Sequence, residues 1–270
     1  MNGNGRRFFR SGCIRACLFV LVLACETQAG PLAAEVRERP LPPDLEQALR
    51  KLRMPGIRLN LEERTVDVEA EVCLHKGLLE LVACTADSKE HESIVVLKAR
   101  PLHLHTALLL FGARPGVPAM RRVTDEDGSE RWAPAEPAGD PVEVSLVFAG
   151  PDGKLREHPI SRFIAPANLR DFDGSPLPEA EQKTPFPSNF LFAGSHLVEK
   201  DAGPRRYLCE ASGNVISIST FGDEMLCLPG IHGHDNDGLA WQVNPKGLPK
   251  VGKPVILRLR PVQKVRKRKP

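Results

Sequence analysis

The chain has 270 residues, of which 41% are hydrophobic and 26% charged, and its formal net charge is only +3 at pH 7. These values exclude a collagen-like or wholly disordered chain and a strongly basic nucleic-acid-binding protein, and the length suits one large domain or two small ones. The 25 prolines and 22 glycines separate short apolar runs, which argues against an all-helical fold.

The segment 1–29 has the organisation of a secretory signal peptide. Four arginines precede an apolar run, Ala16 to Ala24, which is too short for a membrane span of about 20 residues. Thr27 and Ala29 suit ordinary cleavage after Ala29, whereas the segment that ends in Cys25 resembles a lipobox and would make Cys25 the lipidated N-terminus. We therefore expect an exported protein, periplasmic, extracellular or lipid-anchored, with no transmembrane helix after processing.

Residues 30–56 are predicted to form a Pro-rich linker with a short helix from Leu45 to Met54, since Asp44 follows two prolines and Pro55-Gly56 ends the pattern. Period-two alternation then predicts half-buried strands, with one helix among them. In chain order we predict strands at 66–73, 78–84 and 93–99, a helix at 103–113, a long loop at 121–140, strands at 142–148 and 155–160, a long connection at 166–188, and strands at 189–199, 205–211, 215–221, 239–243 and 254–260.

This count of about nine or ten short strands and two or three helices predicts an α+β fold with a mainly antiparallel β-sheet, in one domain over residues 57–261. Residues 262–270 form a basic tail with five Lys and Arg residues. The tail could attach the protein to an anionic envelope surface, although frayed, solvated basic termini are common. We expect no specific nucleic-acid binding.

Four cysteines follow the leader: Cys73, Cys84, Cys209 and Cys227. In an exported protein they permit two disulfides with three connectivities, or they remain buried thiols. If 66–73 and 78–84 form a hairpin, Cys73 lies near its turn and Cys84 near its far end, too far apart for a disulfide. No CxxC spacing supports an iron–sulfur cluster, and no glycine-rich phosphate loop indicates a nucleotide cofactor.

Several short motifs resemble the YdjY-like domain family of exported bacterial proteins, over roughly residues 57–261. In the first half they are Gly77-x-Leu79-Glu80, Cys84, Lys89 to Ser93, His105 followed by Ala107 to Leu109, and Gly112 with Pro115-Gly116. In the second half they are Asn189 to Ser195, Tyr207, Gly213 to Ser217, Pro254-Val255 and Arg260-Pro261. The resemblance implies an envelope location and no assigned activity.

Ionisable and metal-ligating side chains are most concentrated between residues 73 and 105. His91 is flanked by two glutamates in a predicted turn, and His105 begins the next helix. His91, Glu92 and His105, with Cys84 as an optional fourth ligand, would suit a divalent metal such as Zn²⁺. As catalytic candidates we take Lys89, His91, Glu92 and His105, with Lys89 holding an anionic group. The simpler interpretation is a solvated turn whose charges pair with one another, and a structural histidine at 105.

Two further motifs carry less weight. Ser195 and His196 are adjacent but lack the G-x-S-x-G elbow of a serine hydrolase, and residues 232–238 are oxygen-rich without the last glutamate of a calcium loop. We therefore expect a non-enzymatic envelope domain that binds a ligand or partner through residues 89–105. The alternatives are a metal-dependent enzyme or metal-binding protein using the Lys89–His105 region, and a structural cell-envelope protein.

Overall fold

The computed structural model describes residues 52–167, 185–199, 205–233 and 241–262, together with Gln47, and these belong to one compact unit, Pro42–Pro270. The predicted signal peptide with Cys25, the linker and the basic tail beyond Val262 lie outside the described residues. Of the predicted helix from Leu45 to Met54, Gln47 is helical, whereas residues 52–54 are not.

Eighteen strands and two α-helices have described bounds. The strands are β1 (Ile57–Asn60), β2 (Thr65–Val72), β3 (Leu81–Thr85), β4 (Ser93–Leu97), β5 (Pro115–Val117), β6 (Met120–Thr124), β7 (Glu130–Pro134), β8 (Ala138–Gly139), β9 (Pro141–Ala149), β10 (Leu155–Pro159), β11 (Ile164–Pro166), β12 (Asn189–Phe192), β13 (Leu197–Val198), β14 (Arg206–Tyr207), β15 (Ile216–Ser217), β16 (Leu226–Cys227), β17 (Trp241–Val243) and β18 (Pro254–Pro261). The helices are α1 (Pro101–Leu110) and α2 (Leu208–Ser212), and single 3₁₀ turns cover Glu90–Glu92 and Ile160–Phe163.

Eight of the strands close into a barrel, in the order β2-β18-β9-β12-β16-β15-β3-β4, and the pairing of β4 with β2 completes the circle. Most pairs are antiparallel. The β3–β4 and β15–β16 pairs are parallel. In each pair a short crossover therefore brings the chain from the end of the first strand back to the level at which that strand began. β1 extends the sheet beside β2, and β10 extends it beside β9.

The predicted fold class is therefore wrong. The chain is mostly β, with 43% of its residues in strands and 13% helical, and its main sheet is a closed barrel rather than an open sheet in an α+β fold. Closure depends on the contact between β4 and β2, although β3 lies between these two strands in the chain. Local periodicity carries no information about such a pairing.

The barrel interior is the hydrophobic core. On β2 every second side chain from Val66 to Val72 is buried, while the residues between them are more exposed, as a half-buried strand requires. Facing strands add large apolar side chains, including Phe190, Phe192, Leu146 and Leu257, each fully buried.

Helix α1 packs against β1, β2 and α2. Pro101 stands at its first turn, where a missing N–H costs nothing, and Gly112 follows its end with a φ of 83°. Its buried residues Leu104, Ala107 and Leu108 have helical spacing and form the face that meets the barrel. In the described part of the chain, no helix is long and apolar enough to cross a membrane.

Several local features also differ from what the sequence suggests. The hairpin considered for 66–73 and 78–84 does not form, because β2 pairs with β1, β18 and β4 instead. The predicted loop at 121–140 contains the antiparallel hairpin β6–β7. The predicted strand at 205–211 is a two-residue strand followed by helix α2.

Candidate functional site

The predicted site lies in the crossover that joins β3 to β4. The side chain of Glu90 accepts hydrogen bonds from the backbone N–H groups of Asp87 and Ser88, at 2.6 and 2.9 Å, and so fixes the start of the 3₁₀ turn. Asp87 has a φ of 59°, a left-handed conformation that aspartate tolerates better than most residues. The crossover is therefore held in shape by its own charged residues.

Lys89 forms two ion pairs within the protein. Its Nζ lies 2.8 Å from Glu92 Oε1 and 3.6 Å from Glu80 Oε2, and it also lies 3.9 Å from the centre of the Phe221 ring. All three charged side chains are mostly buried, with exposures between 14% and 24%. This is the arrangement of the simpler interpretation, in which the charges of the turn pair with one another.

His91 points into solvent. Its side chain is 77% exposed and its Nε2 lies 3.6 Å from Glu92 Oε2. A side chain this exposed has little to hold it in one orientation.

Two cysteines lie on the strands next to the turn. Cys73, just after β2, and Cys84, on β3, lie on either side of β4. The Cys73 thiol also lies 3.1 Å from the carbonyl oxygen of Ser93. Cys84 is fully buried, whereas Cys73 is half-buried.

The pKa values of the two thiols are shifted in opposite directions. The neighbouring Cys73 lowers the pKa of Cys84 to about 7, against the opposing effect of burial. Cys84 and burial both raise the pKa of Cys73.

His105 lies on α1 in a different environment. Its Nδ1 is 2.8 Å from the Tyr207 hydroxyl, which donates to the carbonyl oxygen of Gly194 at 3.0 Å. Because that hydroxyl has one proton, Nδ1–H of His105 is the donor to it. The ring also makes an edge contact with Phe192, at 4.8 Å between centroids. Burial lowers the pKa of His105, so the imidazole is neutral at pH 7 and acts as a structural residue.

Among the described residues, no group of three or more His, Cys, Asp and Glu side chains is placed to hold a metal ion. His91, Glu92, His105 and Cys84 therefore do not form the predicted ligand set there. Of the predicted site residues, the structure does bring Lys89 and Glu92 together. The geometry gives no support to metal-dependent catalysis at these residues, and that alternative stays a prediction.

Ser195 and His196 have separate partners. The Ser195 hydroxyl donates to Asp223 O and accepts from the backbone N–H of Cys209, while His196 Nε2 lies 3.2 Å from two carbonyl oxygens, those of Met120 and Gly222. These contacts fix a loop junction and do not form a nucleophile–base pair. Of the oxygen-rich segment 232–238, only His232 and Gly233 are described.

A buried carboxyl group was missed by the sequence analysis. Glu224 is fully buried; its Oε1 accepts from the backbone N–H groups of Phe221 and Gly222, and its Oε2 has no hydrogen-bond partner. Burial raises its pKa. A glutamate between Asp223 and Met225 gives no sequence signal for such burial.

The structure also shows a groove on the outer side of the sheet, with a volume of about 500 Å³. Its lining comes from β1 and the turn after it, residues 58–62, from Asp67 on β2 and from Leu155 on β10. Leu155 is 72% exposed and gives the groove an apolar surface. Neither β1 nor Leu155 stood out in the sequence as a site.

Residues 57–260 match the YdjY domain. The chain belongs to the YdjY domain family. The match covers more than half of the chain and reaches every strand of the barrel, so the matched region includes the barrel together with its two added strands. No curated protein and no solved structure matches the chain.

Proposed function

We propose that this YdjY-domain protein is exported and acts in the cell envelope as a binding domain for an extended polypeptide segment. The proposal departs from the expectation that residues 89–105 are the binding surface, because Lys89 and Glu92 are already paired there. The observation that carries it is the groove lined by β1, Asp67 and Leu155, which adjoins a strand whose outer edge can accept a further strand. The leader-like segment 1–29 supports export.

The edge of β1 offers backbone hydrogen-bonding groups. Among the described strands, β1 pairs with β2 alone. Glu69 N donates to Gly56 O at 2.8 Å, so the alternation of an antiparallel pair turns Arg58 and Asn60 toward β2 and turns Leu59 outward. The N–H and C=O of Leu59 can therefore pair with an added strand, as in other β-strand additions.

The groove adds side-chain contacts to this edge. Leu155 supplies an exposed apolar surface on one side, while Arg58 and Glu62 supply charges of both signs on the other. Because β2, β18 and β9 lie between β1 and β10, two successive parts of an extended segment make these contacts: one part pairs with the edge of β1, and the next crosses the outer face of the sheet and covers Leu155 with an apolar side chain. This combination favours a peptide over a small polar molecule.

The test begins with decapeptides selected from a random phage-displayed library on the purified protein, and affinity is then measured by fluorescence anisotropy. Covering an exposed leucine contributes about 1.5 kcal/mol or more, which is about tenfold in affinity. Leu155→Lys should therefore weaken the selected peptide at least tenfold. The matched control is Val251→Lys, because Val251 is also exposed, at 56%, and lies outside the groove.

Equal affinities for Leu155→Lys and the native protein would reject the groove as the binding site, and failure to select any peptide would reject a peptide partner. Export is tested separately by the mass of the mature N-terminus in the producing cell. Cleavage after Ala29, or a lipid-modified Cys25, is the expected result. An intact leader in the cytoplasmic fraction would contradict it.

A further inference from the structure

One end of the barrel carries lysines that the protein itself does not neutralise. We propose that this surface docks on an anionic lipid bilayer, with its lysines at the lipid phosphates and Val251 among the headgroups. We call it the lysine end and define it by four exposed side chains: Lys76, Lys246, Lys250 and Lys253. The proposal is independent of peptide binding in the groove at β1.

Strand pairing brings the four lysines to the same end of the barrel. Because β2 and β18 are antiparallel neighbours, the turn that follows β2 lies beside the loop that precedes β18. Val72 N donates to Lys253 O at 3.1 Å. Further along the same two segments, Val243 N donates to Gly77 O at 3.0 Å. Lys76, in the turn, is therefore next to the loop that carries the other three lysines.

Two tight turns give this loop a defined shape. They span 245–248 and 250–253, and in each the N–H of the fourth residue donates to the carbonyl oxygen of the first, at 3.1 Å. The third residue of each turn is a glycine with a φ of 82°, as a type II turn requires. Leu248 is buried and anchors the loop in the core. Val251 is exposed at the second turn, between the lysines that begin and end it.

The charge of the lysine end is not balanced within the protein. None of its four lysines forms an ion pair with a described residue. Glu71 and Asp152, on the neighbouring strand ends, are each paired with another basic residue. The carboxylates of the nearby crossover are held by Lys89 and by backbone N–H groups. Arg162, exposed beside the first turn, adds a fifth positive charge.

An exposed apolar side chain among unpaired lysines favours a lipid surface over a nucleic acid. Lysines close to an anionic membrane are attracted to its phosphates, and an apolar side chain gains free energy when it leaves water for the boundary between headgroups and acyl chains. A nucleic acid would offer phosphates to the lysines but no apolar layer to Val251. The turns 245–248 and 250–253 also contain no aromatic side chain on which a base could stack.

The test is co-sedimentation with vesicles made of equal parts phosphatidylcholine and phosphatidylglycerol. The protein is used without residues 1–29, which lie outside the compact unit Pro42–Pro270, so that neither the leader nor a lipid on Cys25 binds the vesicles. Removing one lysine near an anionic surface weakens binding about fivefold, so Lys250→Gln combined with Lys253→Gln should weaken it about twentyfold. Val251→Ser should weaken it about fivefold.

The matched control is Arg121→Gln combined with Arg206→Gln. Both arginines are exposed, lie outside the lysine end and form no ion pair with a described residue. The control therefore makes the same change of net charge elsewhere on the protein, and its affinity should stay within about twofold of the native value.

Circular dichroism establishes that each variant is folded. Native affinity in the double lysine variant, or an equal loss in the arginine control, would overturn the lysine end as the docking surface. Loss of binding in Lys267→Gln with Lys269→Gln, but not in the double lysine variant, would assign the attraction to the basic tail instead. If a variant does not fold, the native protein decides the question: equal binding to pure phosphatidylcholine, or tighter binding to single-stranded RNA than to the anionic vesicles, would overturn the proposal.

Discussion

Replacing Tyr207 by phenylalanine removes one hydroxyl from a buried chain of hydrogen bonds. Tyr207 is 4% exposed; its hydroxyl donates to Gly194 O at 3.0 Å and accepts from His105 Nδ1 at 2.8 Å. The phenylalanine ring fills almost the same space, so packing is kept while a buried carbonyl and a buried N–H both lose their partner.

An unsatisfied buried polar group costs about 1–3 kcal/mol. We expect Tyr207→Phe to lower the free energy of unfolding by about 2 kcal/mol, and the melting temperature by about 4–8 °C for a domain of this size. Urea denaturation followed by circular dichroism measures the change. A double-mutant cycle with His105→Ala should show a coupling of about 0.5 kcal/mol or more, because the two side chains share one hydrogen bond.

Tyr207 is the only tyrosine in the chain, so the ultraviolet absorbance of tyrosinate reports on it alone. Burial raises its pKa, and the folded protein should show no tyrosinate at a pH where the unfolded chain ionises. A loss of stability below about 0.5 kcal/mol, the range of ordinary surface substitutions, would refute the assignment of a buried, bridging hydroxyl, as would a titration near pH 10.

Three other predictions concern stability. Burial lowers the pKa of His105 and His196 in the folded protein. Below pH 6.5 the unfolded chain therefore binds more protons than the folded one, so the urea midpoint should fall as the pH is lowered from 7.5 to 5.5. Burial raises the pKa of Glu224, so Glu224→Gln should raise the urea midpoint more at pH 8 than at pH 5; an equal or opposite change would contradict its charged burial. Gly139→Ala would drive a Cβ into the Phe192 carbonyl at a φ of 156°, and it should cost more than about 3 kcal/mol or prevent folding, as measured by yield and circular dichroism.

Strand propensity and the family motifs were readable from the sequence, while closure of the sheet was not. The alternation from Val66 to Val72 correctly predicted β2 and its buried face. The pairing considered for β2, a hairpin with 78–84, is the nearest one in sequence, whereas the actual partners include β18, near the opposite end of the chain. Long-range pairing follows from the complete core and not from any local pattern.

The candidate site was likewise predicted only in part from the sequence. The Lys89–Glu92 turn was correctly placed between two strands, but its charges were expected to face a ligand, and the structure pairs Lys89 with Glu92 and Glu80. Cys73 and Cys84 were expected to be too far apart for a disulfide if their strands form a hairpin, whereas in the structure β4 lies between those strands. Side-chain pairing across a barrel requires the strand order, which one sequence does not supply.

The proposal that an extended peptide pairs with β1 makes a residue-specific statement about backbone hydrogen exchange. The Leu59 N–H faces away from β2, so it should exchange quickly in the protein alone and slowly once a selected decapeptide is bound. The Arg58 N–H, which faces β2, is the internal control and should change little. Protection of Leu59 by at least tenfold is the predicted result. Unchanged exchange at Leu59 with the peptide bound at saturation would contradict strand addition at this edge.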